Sequence, residues 1–180
     1  FPNTVDYWGP AGMVFYRNVQ IRWTPIAGDR ELAFAIEDPG NDIDTGQYSR
    51  DLEQGGFTGQ SDEELPDLTA HYRTKTSFGH VQVAGILRKV AIEIVDPDTE
   101  NVGYSDSDIG WGIDLTGTVN VCDSNVVRAG VVFGEGIASY MNDGGMDAGP
   151  NQGLLPDGSL PGGTKIEAVE LTGLSLYYDR

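Results

Sequence analysis

Arginine and amide side chains recur at alternating positions in several segments of the chain. A guanidinium group stays charged and binds a carboxylate through two parallel hydrogen bonds, so a surface that carries several of them favours anions. The amides and hydroxyls between them can bind other polar groups. The candidate solute-binding residues are Arg22, Arg73, Arg88, Arg128, Asn18, Gln20, Gln82 and Asn120, with Thr116 and Thr118 beside them. The alternative is that some arginines only form ion pairs within the fold, as Arg88 would with Asp67.

The sequence gives little support for catalysis or for specific metal binding. His71 and His80 fall on polar positions without the acidic partner or nucleophile that acid–base catalysis needs. The segment Asp96-Pro97-Asp98-Thr99-Glu100-Asn101 begins like a calcium loop, but it lacks glycine at the sixth position and has Ser107 instead of glutamate at the twelfth. We therefore predict no enzyme, no cofactor and no specific metal site, although the loop carboxylates could hold calcium loosely.

Composition narrows the class of protein. The chain has 180 residues, one cysteine and a net charge of −17. The length fits one domain, and a single cysteine excludes a disulfide scaffold. The acidic balance argues against nucleic acid as a partner, because phosphate binding needs an excess of basic residues. No run of 18 apolar residues exists, so no transmembrane helix is predicted.

The elements that must position these residues are strands. Apolar and polar residues alternate with period two, as in Val81, Val83 and Leu87 against His80 and Gln82, and this is typical of strands with one apolar and one polar face. The segments are 18–24, 31–37, 67–75, 80–88, 109–121, 127–133 and 165–179. The hairpin registers predicted from this alternation place Leu68 opposite Leu87, Trp23 opposite Leu32 and Leu115 opposite Phe133.

The connections alternate between short and long. Short turns are predicted at 24–31, 76–79 and 122–126, and long loops at 38–66, 96–108 and 141–164. The long loops hold more than half of the 28 acidic residues, so the strands that remain are nearly neutral. Strands of roughly ten residues, with short turns at one edge and long loops at the other, indicate an antiparallel transmembrane β-barrel. In such a barrel the candidate residues would line the lumen, and the loop 38–66 could fold inward and narrow it.

Aromatic residues near strand ends agree with a membrane interface, although they could also belong to an ordinary β-core. These residues are Trp23, Trp111, Tyr140, Tyr177 and Tyr178. The alternative fold is a secreted, soluble β-sandwich that binds carbohydrate or calcium, whose apolar face would pack against a second sheet. A subunit of a fibre, in which several chains complete one sheet, is a third interpretation.

Several segments resemble those of the DcaP-like porins of Gram-negative bacteria. These are Val5-Asp6-Tyr7-Trp8-Gly9-Pro10, Arg17-Asn18-Val19-Gln20-Ile21-Arg22-Trp23-Thr24-Pro25, Gly79-His80-Val81-Gln82-Val83-Ala84-Gly85 and Gly112-Ile113-Asp114-Leu115-Thr116-Gly117. The resemblance implies a homotrimeric diffusion channel in the lipid bilayer and lipopolysaccharide of the outer membrane, whose relatives favour small anionic solutes such as dicarboxylates. Such porins have roughly 16 strands. The segments above are about seven, and Arg180 is not the aromatic terminal residue of an outer-membrane protein, so we expect an internal fragment of a barrel.

Overall fold

A computed structural model describes residues 14, 16, 18–40, 56, 58–122, 125–141, 145–150, 166–168 and 170–179, with side chains described up to Ala148 except that of Cys122. Almost all of the described chain is β-strand. The strands are β1 (Gln20–Ile26), β2 (Arg30–Glu37), β3 (Thr58–Ser61), β4 (Asp67–Thr76), β5 (Gly79–Asp96), β6 (Asn101–Cys122), β7 (Asn125–Glu135), β8 (Ala148–Pro150), β9 (Ile166–Ala168) and β10 (Glu170–Asp179). A short 3-10 turn at Ala138–Tyr140 follows β7.

Eight strands form one antiparallel sheet. Its order is β1-β2-β4-β5-β6-β7-β10, and β3 pairs with β5 beyond the end of β4. β8 and β9 form a separate two-stranded sheet. The predicted all-β, antiparallel fold is confirmed. The sheet is open over the described residues, with β1 and β10 as its outermost strands.

One of the three predicted hairpin registers is confirmed, and two are wrong by two residues. Leu68 lies opposite Leu87 as predicted, whereas Trp23 lies opposite Phe34 and Leu115 opposite Val131. Irregularities near the β1–β2 and β6–β7 turns shift the registers there. Because a shift of two residues keeps every side chain on its face, alternation alone cannot detect it.

The two faces of the sheet differ in polarity. The outer face carries apolar side chains that remain exposed, including Ile21 (78%), Ile109 (64%) and Leu87 (52%). On this face Trp23 stacks on Phe34, with ring centroids 5.9 Å apart. In a soluble β-sandwich such a face would pack against a second sheet, but over the described residues it is open. No helix in the described part of the chain has the length and apolar character to cross a membrane.

The long loop predicted at 96–108 is wrong. β5 reaches Asp96 and β6 begins at Asn101, so residues 97–100 alone connect them. The side chains of this part of β6 alternate less clearly, but pairing still satisfies the backbone hydrogen bonds of both strands. The Asp96 carboxylate accepts hydrogen bonds from the Asp98 backbone N–H at 2.9 Å and the Thr99 hydroxyl at 2.8 Å. The carboxylate that begins the calcium-like segment therefore stabilises its own turn.

The other long loops are described only in part. The loop 38–66 contains β3, and its residues 41–55 lie outside the described residues, as does the predicted inward fold of that stretch. Most of 141–164 lies outside them as well, and so do the side chains of Tyr177 and Tyr178. The short turns are shorter than predicted, because β1 continues to Ile26 and β7 begins at Asn125.

Replacing Asp96 by alanine is expected to loosen the tip of the β5–β6 hairpin, beyond the apolar band of the outer face. The Thr99 hydroxyl, followed by the Asp98 N–H, holds the pKa of Asp96 below its usual value. The ionised carboxylate therefore stabilises the turn above about pH 4, and this contribution is lost as pH falls through the lowered pKa. Amide hydrogen exchange at Thr99 and Glu100, which both donate to the Asp96 carbonyl, measures the effect. Asp98→Ala is the control, since it keeps the Asp98 N–H, and equal protection in both variants would contradict the prediction.

Candidate functional site

The inner face of the sheet lines a hollow of about 660 Å3. Alternation along β4 to β7 points the polar side chains of those strands into it. The polar strand residues that line it are Glu37, Thr69, His71, Arg73, His80, Gln82, Asp114, Thr116, Thr118 and Arg128. Residues 136–141, which follow β7, lie across one side of the hollow and contribute Ile137, Tyr140 and Met141 to its lining. We call residues 136–141 the strap.

The hydrogen-bonded pairing of strands arranges the polar residues in rows. One row runs from Lys75 through His80 and Thr118 to Arg128. The adjacent row runs from Arg73 through Gln82 to Thr116. His80 lies within electrostatic range of both Arg73 and Arg128. The structure thus brings Arg73, Arg128 and Gln82 together, as the predicted basic wall requires, along with Thr116 and Thr118.

A single carboxylate joins two of the predicted arginines. Glu31 of β2 accepts a hydrogen bond from Arg22 at 2.5 Å and another from Arg73 at 2.9 Å. Its Oε1 also lies 2.9 Å from Nε2 of His71. The register of β2 on β4 places Glu31 directly opposite Arg73. Glu31 therefore offsets one of the two guanidinium charges on this part of the wall.

Sequence reasoning missed Glu31 because it predicted registers only within hairpins, whereas Glu31 meets Arg73 through the pairing of β2 with β4, which belong to different hairpins. Within the first hairpin, the predicted register placed Arg22 opposite Ala33, whereas the structure has Arg22 opposite Ala35 and its side chain on Glu31. Glu31 does share the polar parity of its strand, with Glu37. This shared position on the polar face was the sequence signal that could have identified Glu31 as a residue of the wall.

Arg88 has a different place from the other arginines, and its predicted role as a solute-binding residue is not what the structure shows. Its side chain is fully buried, as are the carboxylates of Asp67 and Asp147 beside it. The distance from Nε to Asp67 is 3.1 Å, and the distance from Nη1 to Asp147 is 3.4 Å. A buried cation has to be paired, and Arg88 uses its donors on the protein itself. The alternative of an ion pair with Asp67 is confirmed.

Three further predicted residues do not line this hollow. The Asn18 side chain donates to the backbone carbonyl of Asp38 and accepts from the N–H of Val19 at 2.8 Å. Gln20 lies opposite Glu37 near the start of β1, and it is exposed. Asn120 is exposed beside a short turn, where its backbone N–H donates to the Phe78 carbonyl at 2.7 Å. Their predicted contact with solute stays a prediction.

Tyr140 is not an interfacial aromatic residue, as the sequence had suggested. Its ring is buried on the inner side, and its hydroxyl donates to Asp67 at 2.8 Å. Burial and the neighbouring Asp67 carboxylate raise the pKa of this hydroxyl, which keeps it a hydrogen-bond donor. The parity of β7 cannot predict this position, because the chain leaves the sheet after Glu135.

The described part of the chain contains no arranged metal-binding site. No group of three or more histidine, cysteine, aspartate or glutamate side chains there is arranged to hold a metal ion. Loose binding of calcium by the loop carboxylates stays a prediction.

Comparisons with known proteins bear on the fold. No protein-family model matches the chain, and no curated protein matches its sequence. Its structure is similar to that of the outer membrane channel DcaP of Acinetobacter baumannii, with a TM-score of 0.65 and 16% sequence identity over 98% of this chain. The chain spans 43% of that channel's chain. At this level of identity the likeness shows the fold alone: the chain has the antiparallel β-sheet of part of an outer-membrane β-barrel channel.

Proposed function

We propose that the chain forms part of the wall of an outer-membrane porin, a passive diffusion channel for small hydrophilic solutes. The observation that carries this proposal is the polarity of the two faces of the sheet, which is the reverse of that in a soluble protein. Apolar side chains are exposed on the outer face, while polar and basic side chains surround a hollow on the inner face. The apolar outer face suits contact with lipid tails, and the polar inner face suits a water-filled channel. The likeness in fold to an outer membrane channel supports the same function and location.

A preference for small anions, such as dicarboxylates, is the finer part of the proposal. Lys75, Arg73 and Arg128 lie in two adjacent rows of the wall, and two acidic residues, Glu37 and Asp114, line the same hollow. Glu31 offsets part of this positive charge. A homotrimer is expected from the resemblance to DcaP-like porins.

Reconstitution tests the channel. The complete barrel that includes this chain, purified in detergent, is expected to need micelles for solubility and to give discrete conductance steps in a planar lipid bilayer. A heat-unfolded sample of the same preparation should give none. A freely soluble monomer that never conducts would overturn the proposal. The mass of the detergent complex checks the trimer separately.

A further inference from the structure

The strap crosses the inner face of the sheet from β7 towards β2. A Cβ added at Gly110 of β6 would lie 2.9 Å from the Gly136 carbonyl, so the strap passes close to that strand. It then reaches β4 through Tyr140 and Asp67. At its far side the Tyr140 hydroxyl lies 3.4 Å from Glu37 of β2, and Met141 bridges to Val14. The strap therefore lies over four strands of the wall and beside the hollow.

A slot made by two glycines receives the strap. Ile137 is buried, and it packs with Val132, Met141 and Ile86. A Cβ added at Gly112 would lie 2.6 Å from Cδ1 of Ile137, so a larger residue there would displace Ile137. A Cβ added at Gly134 would clash with the Trp111 carbonyl oxygen of β6 and lie 2.9 Å from the same Ile137 atom, so a larger residue there would meet both β6 and the strap. These glycines of β6 and β7 leave room for the strap on an otherwise continuous wall.

Arg88 is the centre of the polar contacts of the strap. Its Nη1 donates to the Ser139 hydroxyl at 2.9 Å and to the Gly136 carbonyl at 3.3 Å. The same atom lies 3.4 Å from Asp147, whose other carboxylate oxygen accepts from the Ser139 N–H at 2.9 Å. The guanidinium carbon lies 5.0 Å from the centroid of the Tyr140 ring. Arg88 thus contacts Gly136, Ser139 and Tyr140 of the strap while its Nε pairs with Asp67 on β4.

We propose that Arg88 is a positioning residue that holds the strap against the inner face, so that the strap fixes the free cross-section of the channel beside the hollow. A lysine could not replace it, because the contacts come from three nitrogens of a rigid, planar group: Nη1 contacts the strap, Nε pairs with Asp67, and Nη2 donates to the Gly40 carbonyl. The claim that the strap fixes the cross-section of the channel rests on the proposed function. The claim that Arg88 holds the strap against the sheet concerns the folded protein alone.

A buried thiol reports whether the strap is held. Met141, which is 7% exposed, is replaced by cysteine in a Cys122→Ser background, so that the reporter is the sole thiol. The test variants are Arg88→Lys, which removes the fork of donors, and Gly112→Val, which fills the slot. The controls are Arg30→Lys, the same change on an exposed arginine of β2 that does not line the hollow, and Gly85→Val on the outer face, where an added Cβ meets only an ordinary contact at 3.6 Å.

In both test variants the folded protein is expected to react with a maleimide about tenfold faster or more, because local opening exposes the thiol. Both controls should react at the reference rate. The test variants should also give larger single-channel conductance than their controls. Folded test variants that react at the reference rate would overturn the holding role of Arg88. Faster reaction with unchanged conductance would overturn the claim that the strap fixes the cross-section. If the reference protein itself never conducts, the proposed function fails, and the thiol rates alone decide the role of Arg88.

Discussion

Replacing Arg88 by methionine is expected to lower the free energy of unfolding by about 3–5 kcal/mol, the cost of breaking a buried ion pair. The substitution leaves the buried carboxylates of Asp67 and Asp147 without their cation. Asp67 is already poorly satisfied, since its Oδ1 has no hydrogen-bond partner among the described residues. Its other oxygen would keep only the Tyr140 hydroxyl as a close donor. No other substitution that we consider removes so much from one buried site.

The urea midpoint of the detergent-solubilised protein measures this loss. With a slope of about 1–3 kcal/mol per molar urea, the midpoint should fall by at least about 1 M. The informative control adds Asp67→Asn and Asp147→Asn to Arg88→Met. Removing all three charges should recover part of the stability, because no buried charge is then left unpaired. A single variant as stable as the parent would show that these charges are not buried in solution.

Replacing Glu31 by glutamine is expected to raise the preference of the channel for anions. Glu31 offsets the charge of Arg22 and Arg73, so its neutralisation adds one positive charge to the wall. A unit charge about 8 Å from a permeating ion in water contributes ~0.5 kcal/mol. Because the charge favours an anion and disfavours a cation by the same amount, the ratio of anion to cation permeability should change about fivefold. Arg73→Ala combined with Arg128→Ala should change the ratio in the opposite direction, and by more.

Reversal potentials in a salt gradient measure these ratios. Glu93→Gln is the matched control, because Glu93 lies on β5 beyond the hollow and pairs with Gln60 of β3. It should leave the reversal potential unchanged. If Glu31→Gln gave the potential of the parent channel while the arginine variants changed it, Glu31 would not offset the wall charge. If none of the variants changed it, the anion preference would have to be abandoned.

The strands and their faces could be predicted from the residues themselves. Val81, Val83 and Leu87 face outward and Gln82 faces inward, as their alternation indicates, because the period of a strand is fixed by its pleat. The register of β4 on β5 could be predicted as well, because no irregularity interrupts the pairing of these two strands. Irregularities near the β1–β2 and β6–β7 turns shifted those registers by two residues without changing either face. The pairing of β2 with β4, which places Glu31 opposite Arg73, joins two hairpins and lay outside the predicted registers.

By itself, then, the sequence determined an antiparallel sheet with an apolar face, a polar face and arginines on the polar side. Those properties are local, because each follows from the period of a strand and the chemistry of its side chains. Only the tertiary structure decided which arginine faces the hollow and which is buried. Arg128 and Arg88 have the same parity, but the chain after Glu135 leaves the sheet and folds back over Arg88. That return depends on the space beside Gly112 and Gly134 and on two distant carboxylates, and no pattern along a single strand contains it.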